Sequence, residues 1–233
     1  MNSDNKSKKQ KKKKKPFDNL VYDFVKVTGA LPAWLWLRPK YYYPFGKPCK
    51  DGPLLVAANH YGAMDPVSVL LSFPKHRVNI LATKQLFATK ITRFFFTRMH
   101  CVEVDRENFN ISSFHEVTDR LKQGRIIGIF PEGRINEREE NGSVLDFKSG
   151  VVLMAHRGGA KVLPMYLSKK KKWYHRQRIV MGVPIDISEK LGKIPSMQAV
   201  NEMTEYLREK EIELRKYLDE KYPKKKSKNK KGE

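Results

Sequence analysis

Residues 54–66 read Leu-Leu-Val-Ala-Ala-Asn-His-Tyr-Gly-Ala-Met-Asp-Pro. The run Leu54 to Ala58 is too short for an ordinary helix, and its unbroken hydrophobicity is that of a strand buried on both faces. It breaks into polar residues, after which Asp65 and Pro66 predict a helix start, with the carboxylate as cap and proline in the first turn. A strand that ends in polar groups and turns into a helix is the repeating unit of a layered α/β protein. Ligand-binding groups gather at such strand ends.

The same punctuation recurs on both sides of this stretch. Apolar runs at Val78 to Ala82, Cys101 to Val104, Ile126 to Phe130, Val162 to Leu167 and Ile179 to Val183 predict further strands. Helices are predicted over Pro66 to Ser72, Leu86 to Arg98, Ser113 to Lys122 and Gly150 to His156. Nearer the C-terminus Val200, Met203, Leu207, Glu211, Leu214 and Leu218 step by three or four residues along one face, and Glu211 stands i,i+4 from Arg215 as an expected ion pair. The expected fold class is α/β, a single mixed, partly parallel sheet flanked by helices. Ahead of it, Phe17 to Leu37 is rich in large apolar residues, and Pro32 predicts a break into two short helical pieces. Tyr41, Tyr42, Tyr43 and Phe45 follow between Pro39, Pro44 and Pro48, and need a core or a membrane interface to rest on.

With 233 residues, 40% of them hydrophobic, the chain can bury a substantial core and is not disordered as a whole. Its 47 Lys and Arg against 25 Asp and Glu give a net charge of +22, with eight Lys in residues 1–15 and seven in residues 221–233. These self-repelling tails are expected to be disordered, and the body between them is far less basic. Cys49 and Cys101 are too few for a disulfide framework and lack the paired spacing of a zinc site, which points to a reducing compartment. The most apolar stretch, Val27 to Leu37, contains Gly29 and Pro32 and falls short of the roughly 18–20 residues that span a bilayer. The basic N-terminus runs into Pro16, Phe17 and Asp18 instead of the apolar centre of a secretory signal. Cytoplasmic exposure is expected.

His60 stands in the turn after the first strand, with Asp65 five residues on. On a continuous helix that spacing puts the side chains about 140° apart, but across a turn the chain can fold Asp65 back on His60. A carboxylate on one imidazole nitrogen holds the tautomer and leaves the other nitrogen free to take a proton. That is two-thirds of a hydrolase triad without the serine, so a substrate hydroxyl can be the nucleophile. An isolated pair of this kind reads more simply as a helix cap and a satisfied turn histidine, and a second motif has to decide. Ile129-Phe130-Pro131-Glu132-Gly133-Arg134 ends another apolar strand, and Phe147-Lys148-Ser149-Gly150 precedes a helix. Arg134, Lys148 and the backbone N–H groups near Gly133 and Gly150 suit a phosphate monoester. Arg106, after Val104 and Asp105, adds a guanidinium at a third strand end. There is no Gly-x-Ser-x-Gly, so covalent catalysis has no obvious serine nucleophile.

Together, Asn59-His60, four residues and Asp65, then Phe130-Pro131-Glu132-Gly133-Arg134 about 70 residues later, resemble the glycerolipid acyltransferases of the 1-acylglycerol-3-phosphate type. Val104-Asp105-Arg106 and Val162-Leu163-Pro164-Met165 match that family's second and fourth blocks, and the resemblance covers Leu54 to Val183. Two positions depart from it: Gly62 stands where many members have Ser, and Glu132-Gly133-Arg134 lacks the threonine of Glu-Gly-Thr-Arg. The resemblance implies that His60 is the general base and Asp65 its orienting partner. It implies that Glu132, Gly133 and Arg134 help hold a glycerophosphate acceptor, with Arg106 and Lys148 as further candidates. The implied reaction moves a fatty acyl group from an acyl thioester to the sn-2 hydroxyl of lysophosphatidate, giving phosphatidic acid. Acyl-CoA or acyl-acyl carrier protein would be the co-substrate, with no bound cofactor and no metal.

The implied division is a basic tail at 1–15, a helical and aromatic membrane-interface segment at 16–48, an acyltransferase domain at 49–220 and a second tail at 221–233. Leu35-Trp36-Leu37, the tyrosine run and Phe94-Phe95-Phe96 between Arg93 and Arg98 combine aromatics with cations as interfacial elements do, although core packing explains the phenylalanines equally well. The Lys tails suit an anionic membrane surface at about 1 kcal/mol per Lys before screening and chain entropy are subtracted. A peripheral or monotopic protein on the cytoplasmic face of a membrane is expected. Another lysolipid acceptor is an alternative. A basic nucleic-acid-binding protein is the alternative of a different class, but the charge sits in the tails, no recognition signature occurs, and no specific nucleic acid is expected as partner.

Overall fold

The computed structural model describes residues 16–105, 111–136, 144–169 and 175–223. The chain enters through α1 (Pro16–Leu37) and β1 (Lys40–Tyr42), then runs β2 (Leu54–Ala58), α2 (Asp65–Ser72) and β3 (Val78–Thr83). A 3-10 turn (Lys84–Phe87), α3 (Lys90–Arg98), β4 (Val102–Val104), α4 (Ile111–Lys122) and β5 (Ile126–Ile129) follow. The rest is α5 (Gly150–Gly158), β6 (Lys161–Leu167), β7 (Arg178–Met181), β8 (Ile185–Asp186), α6 (Ile187–Leu191) and α7 (Met197–Lys221). The strand order is β1-β7-β6-β2-β5-β3-β4, with β8 also paired to β6. Strands β6, β2, β5, β3 and β4 are mutually parallel, while β7 and β8 run antiparallel to β6 and β1 runs parallel to β7. The sheet is therefore single, mixed and mostly parallel, as the sequence predicts.

β2 lies in the middle of it, and all five of its residues are buried. Leu55 and Ala57 pack with Val117 and Leu121 of α4, Val151, Val152 and Ala155 of α5, and Val200 and Leu207 of α7. Leu54, Val56 and Ala58 pack on the opposite face with Val69 and Phe73. Pro164 lies inside β6, a position that an N–H-lacking residue occupies at low cost only where a ladder bond is not needed. It stands where the antiparallel partner changes from β7 to β8, and its carbonyl accepts from Gly182 N at 2.9 Å.

Four expectations are corrected. Residues Pro16–Leu37 form one helix through Pro32 instead of two pieces. Tertiary anchors flank the proline on both sides: the Tyr22 hydroxyl donates to Val78 O at 3.1 Å, Arg77 grips Asp23, and Leu37 is buried with its carbonyl held by Gln177 N. Residues 40–42, in the N-terminal segment by the division at 48, are hydrogen-bonded into the sheet as its edge strand, and the tyrosine run rests on it. The helix expected from Leu86 starts at Lys90 instead, because Thr89 caps it reciprocally with Thr92. Glu211 does not pair with Arg215. Arg215 Nε reaches Asp219 at 3.3 Å, while Glu211 is fully buried on the inner face of α7.

Gly158 closes α5 against α4, and a Cβ placed there would stand 2.7 Å from both Cβ and Cδ1 of the fully buried Leu121. Alanine is worth about 1 kcal/mol over glycine in an open helix, but overpacking a core costs about 1–3 kcal/mol. Gly158→Ala is expected to lower unfolding stability, as measured by the urea midpoint, despite the better helix former. A raised midpoint would show that Leu121 yields.

Candidate active site

His60 and Asp65 meet in the loop between β2 and α2, where the His60 Nδ1 lies 3.0 Å from Asp65 Oδ2. The same oxygen accepts the backbone N–H of Tyr61 at 2.6 Å and of Gly62 at 2.7 Å. Asp65 thus does not cap α2 with its side chain. The helix begins at Asp65 itself, with Met64 at the cap making no side-chain bond and Pro66 in the first turn. Both partners are nearly covered, His60 at 7% and Asp65 at 5% exposure. With Asp65 accepting at Nδ1, that nitrogen carries the proton and Nε2 presents its lone pair. Nε2 has no partner among the described residues and keeps contact with solvent.

Three neighbours hold this turn. The Asn59 side chain forms a two-bond rung with β6, donating to Leu167 O at 2.9 Å and accepting from Leu167 N at 2.7 Å. The Phe130 ring stacks on the imidazole at 4.3 Å between centroids. Asn136 N donates to His60 O at 2.7 Å, so the loop after β5 is tied to the histidine backbone. Because β2 and β5 are parallel neighbours, both signature turns leave the sheet at the same edge.

The second turn is shaped by Gly133, whose φ of +69° favours glycine and whose N–H donates to Phe130 O at 3.0 Å. The Lys148 backbone N–H donates to Pro131 O at 3.0 Å, and its side chain lies over Gly133, where a Cβ would meet Lys148 Cε at 2.7 Å. This brings the start of α5 to the end of β5, so Lys148, Gly133, exposed Arg134 and the first N–H groups of α5 share one cationic surface. Glu132 points the other way and is 5% exposed. Burial pushes its carboxyl up to about 7, and the charge of Asp65 adds to this; the His60 and Leu145 backbone and Arg134 offset only part. Arg106 lies outside the described residues.

Sequence reasoning missed the Asn59 rung and Glu211. Glu211 is driven well above the usual carboxylate range by burial, reinforced by Glu132, and neither of its oxygens has a hydrogen-bond partner among the described residues. The readable signal was a carboxylate inside an otherwise apolar helical stripe. No cluster among the described residues could hold a metal ion.

The Acyltransferase family model matches residues 37–168, more than half of the chain and both signature turns, though not Glu211. The chain belongs to the Acyltransferase family. A Bacillus subtilis protein named 1-acyl-sn-glycerol-3-phosphate acyltransferase is 28% identical over 207 residues, covering 86% of this chain and all of that protein. One of the same name from Borreliella burgdorferi is 30% identical over 155 residues, 65% of this chain and 60% of its own length. Among solved structures, the 1-acyl-sn-glycerophosphate (LPA) acyltransferase PlsC from Thermotoga maritima shares the fold with a TM-score of 0.61 at 20% identity, over 86% of this chain and 81% of that one.

In this acyltransferase the raised carboxyl of Glu132 makes stability fall with pH. Between the usual 4.5 and about 7 the folded chain keeps a proton on Glu132 that the unfolded chain has released, so folding is progressively penalised as pH rises through that window. Glu132→Gln removes this share, expected on the order of 1–3 kcal/mol, and leaves the share of Glu211. Urea unfolding across the window should show a shallower fall for the variant than for the wild type. Parallel slopes would mean that Glu132 is ionised throughout.

Proposed function

We propose that this acyltransferase moves a fatty acyl group from an acyl thioester to the sn-2 hydroxyl of 1-acylglycerol-3-phosphate, giving phosphatidic acid for phospholipid synthesis. The observation that carries the reading is the buried His60–Asp65 pair with Nε2 open, at the sheet edge that also holds Arg134 and Lys148. The names of the Bacillus subtilis and Borreliella burgdorferi relatives support the acceptor.

His60 Nε2 takes the proton of the acceptor hydroxyl as its oxygen attacks the thioester carbonyl. Asp65 steadies the imidazolium through Nδ1–H. The tetrahedral adduct collapses by breaking the C–S bond, and His60 returns its proton to the departing thiolate. A thioester already has a good leaving group, so the base is the main requirement, worth roughly 10²–10⁴ in rate. Arg134, Lys148 and the Gly150 N–H at the start of α5 hold the acceptor phosphate, with Arg106 a further candidate; Gly133, its own N–H bonded to Phe130 O, shapes the turn that presents them. Glu132, turned inward, steadies the turn from beneath. The donor is a thioester of coenzyme A or of acyl carrier protein.

The acceptor is a lipid, and the molecule offers a surface for one. On α1, Leu20, Phe24, Val27, Leu31, Trp34 and Leu35 step by three or four residues and are all exposed, as are Ile91, Phe94 and Phe95 of α3, which packs against α1. No helix among the described residues is long and apolar enough to cross a membrane. These faces support peripheral docking on the cytoplasmic side, with the Lys tails as electrostatic tethers to anionic lipid.

His60→Ala is expected to cut kcat by at least about 10² while leaving the melting curve near that of the wild type. Asp65→Asn should lose less, since its amide oxygen can still accept from Tyr61 and Gly62. Retention of more than a few per cent of activity by His60→Ala at saturating substrate would remove the histidine from the mechanism. For Arg134→Ala, KM for lysophosphatidate should rise about tenfold or more with little change in kcat, and use of monoacylglycerol should hardly change. Equal losses on both acceptors would identify a structural arginine.

A further inference from the structure

We propose a second lipid site, for the headgroup of an anionic phospholipid, between the end of α1 and the segment that leads into β7. A cavity of about 490 Å³ opens there, lined by Trp34, Leu35, Trp36, Arg38, Pro39 and Arg176. None of these residues belongs to the turns around His60 and Glu132. Gln177 fixes the site's position: its N–H donates to Leu37 O, its carbonyl accepts from Lys40 N, and its side chain accepts from Ser68 Oγ at 2.5 Å. These bonds place the cavity at the sheet edge reached by the C-terminal end of β6, the edge from which His60 projects.

Two features of the lining suit an anionic ligand. Among the described residues, the guanidinium groups of Arg38 and Arg176 make no ion pair and no hydrogen bond. Arg178, two residues on, is by contrast stacked on Tyr222 at 4.1 Å. Arg38 also holds φ at +47°, the left-handed region that favours glycine or asparagine, pinned by its own N–H to Trp34 O at 2.7 Å and by the bonds of Leu37 and Lys40 to Gln177. An arginine kept there against backbone preference, lining the same cavity as a second unpaired arginine, is an arrangement suited to an anion.

The chemistry of the walls selects which anion. Two guanidinium forks match phosphate oxygens, while Trp34, Leu35 and Trp36 are exposed apolar groups continuous with the α1 stripe. A soluble anion would have no use for that wall, and a bare acyl chain none for two cations. A membrane lipid with an anionic phosphate uses both, and tryptophan is suited to the headgroup level. At ~30 Å³ per water, the volume equals roughly sixteen waters, room for a glycerophosphate head while the acyl chains stay in the bilayer. Such a lipid would seat the His60 edge against the membrane. The inference rests on the docking proposed for α1 and adds a headgroup preference to it.

The test follows tryptophan emission of the full chain titrated with monomeric dihexanoyl phosphatidylglycerol. We expect a saturable change whose apparent affinity falls about tenfold or more in Arg38→Asn, in Arg176→Gln and in their double variant. Asparagine tolerates the left-handed backbone; should Arg38→Asn still lower the thermal midpoint, Arg176→Gln on its exposed segment carries the test. Dihexanoyl phosphatidylcholine, inorganic phosphate and coenzyme A at equal concentrations should each respond far more weakly. A response kept by the double variant, or matched by any of these three probes, overturns the site. Sedimentation with phosphatidylcholine vesicles reads the α1 stripe separately. Vesicle binding without a response to the short-chain lipid overturns the headgroup site alone, and loss of both overturns the docking proposal with it.

Discussion

A single carboxylate oxygen, Oδ2 of Asp65, takes three N–H groups from the six-residue stretch it closes: Nδ1 of His60 and the backbone of Tyr61 and Gly62. A carboxylate this deeply covered survives only when its lost hydration is replaced, and charge-assisted bonds replace it at about twice the strength of neutral ones. Each donor has a consequence. The backbone pair bends the chain so that the imidazole points out of the sheet edge, and the ring bond leaves Nε2 as the lone-pair nitrogen. The oxygen is then unavailable to α2, which starts with no side-chain cap, a loss of about 1 kcal/mol in other helices. Pro66 reduces that cost because it has no N–H to leave unsatisfied in the first turn.

The turn would not hold its shape alone, and the sheet order explains what braces it. β2 has β6 on one side and β5 on the other, all parallel, so three chain segments leave the same edge together. Asn59 extends the β2–β6 ladder by a side-chain rung beyond the last backbone pair, Phe130 from β5 covers the imidazole face, and Asn136 grips the histidine carbonyl. The cationic turn comes to the same place because α5 starts where β5 ends. The His–Asp and Phe-Pro-Glu-Gly signatures, some 70 residues apart in the chain, become neighbours through strand pairing alone.

What the sequence reveals and what it hides follow from this division between local and pairing-dependent forces. Leu54 to Ala58 is legible because burial on both faces demands unbroken hydrophobicity, and the five further strands appear within a residue or two of their predicted places for the same reason. The Tyr41 to Tyr43 run reads as an aromatic patch because its strand character comes from β7, a partner over 130 residues away. Pro32 is a true local breaker, but the packing of Tyr22, Asp23 and Leu37 outweighs it. Asp65 shows the subtlest case. Its motif predicts a helix cap and a histidine partner alike, and only the folded turn decides between them.

The same folded turn sets the charge around the proposed base. Asp65 supplies the negative charge that an imidazolium needs while it holds the acceptor's proton. Glu132 stands beneath it and Glu211 beyond; burial pushes both toward the neutral acid, with the charge of Asp65 adding to this at Glu132 and that of Glu132 adding to it at Glu211. Were all three ionised, the proposed imidazolium would be stabilised too strongly to release its proton, and the buried like charges would repel one another. With both glutamates shifted toward the neutral acid, the negative charge beneath His60 is smaller than three ionised carboxylates would give. The basic groups, Arg134 and Lys148, stand on the outer surface, exposed to solvent and apart from the buried carboxylates. An inner layer of carboxylates whose charge burial reduces, kept apart from an outer cationic layer, is what the proposed mechanism requires: one sheet edge that binds an anion and accepts a proton without either charge cancelling the other.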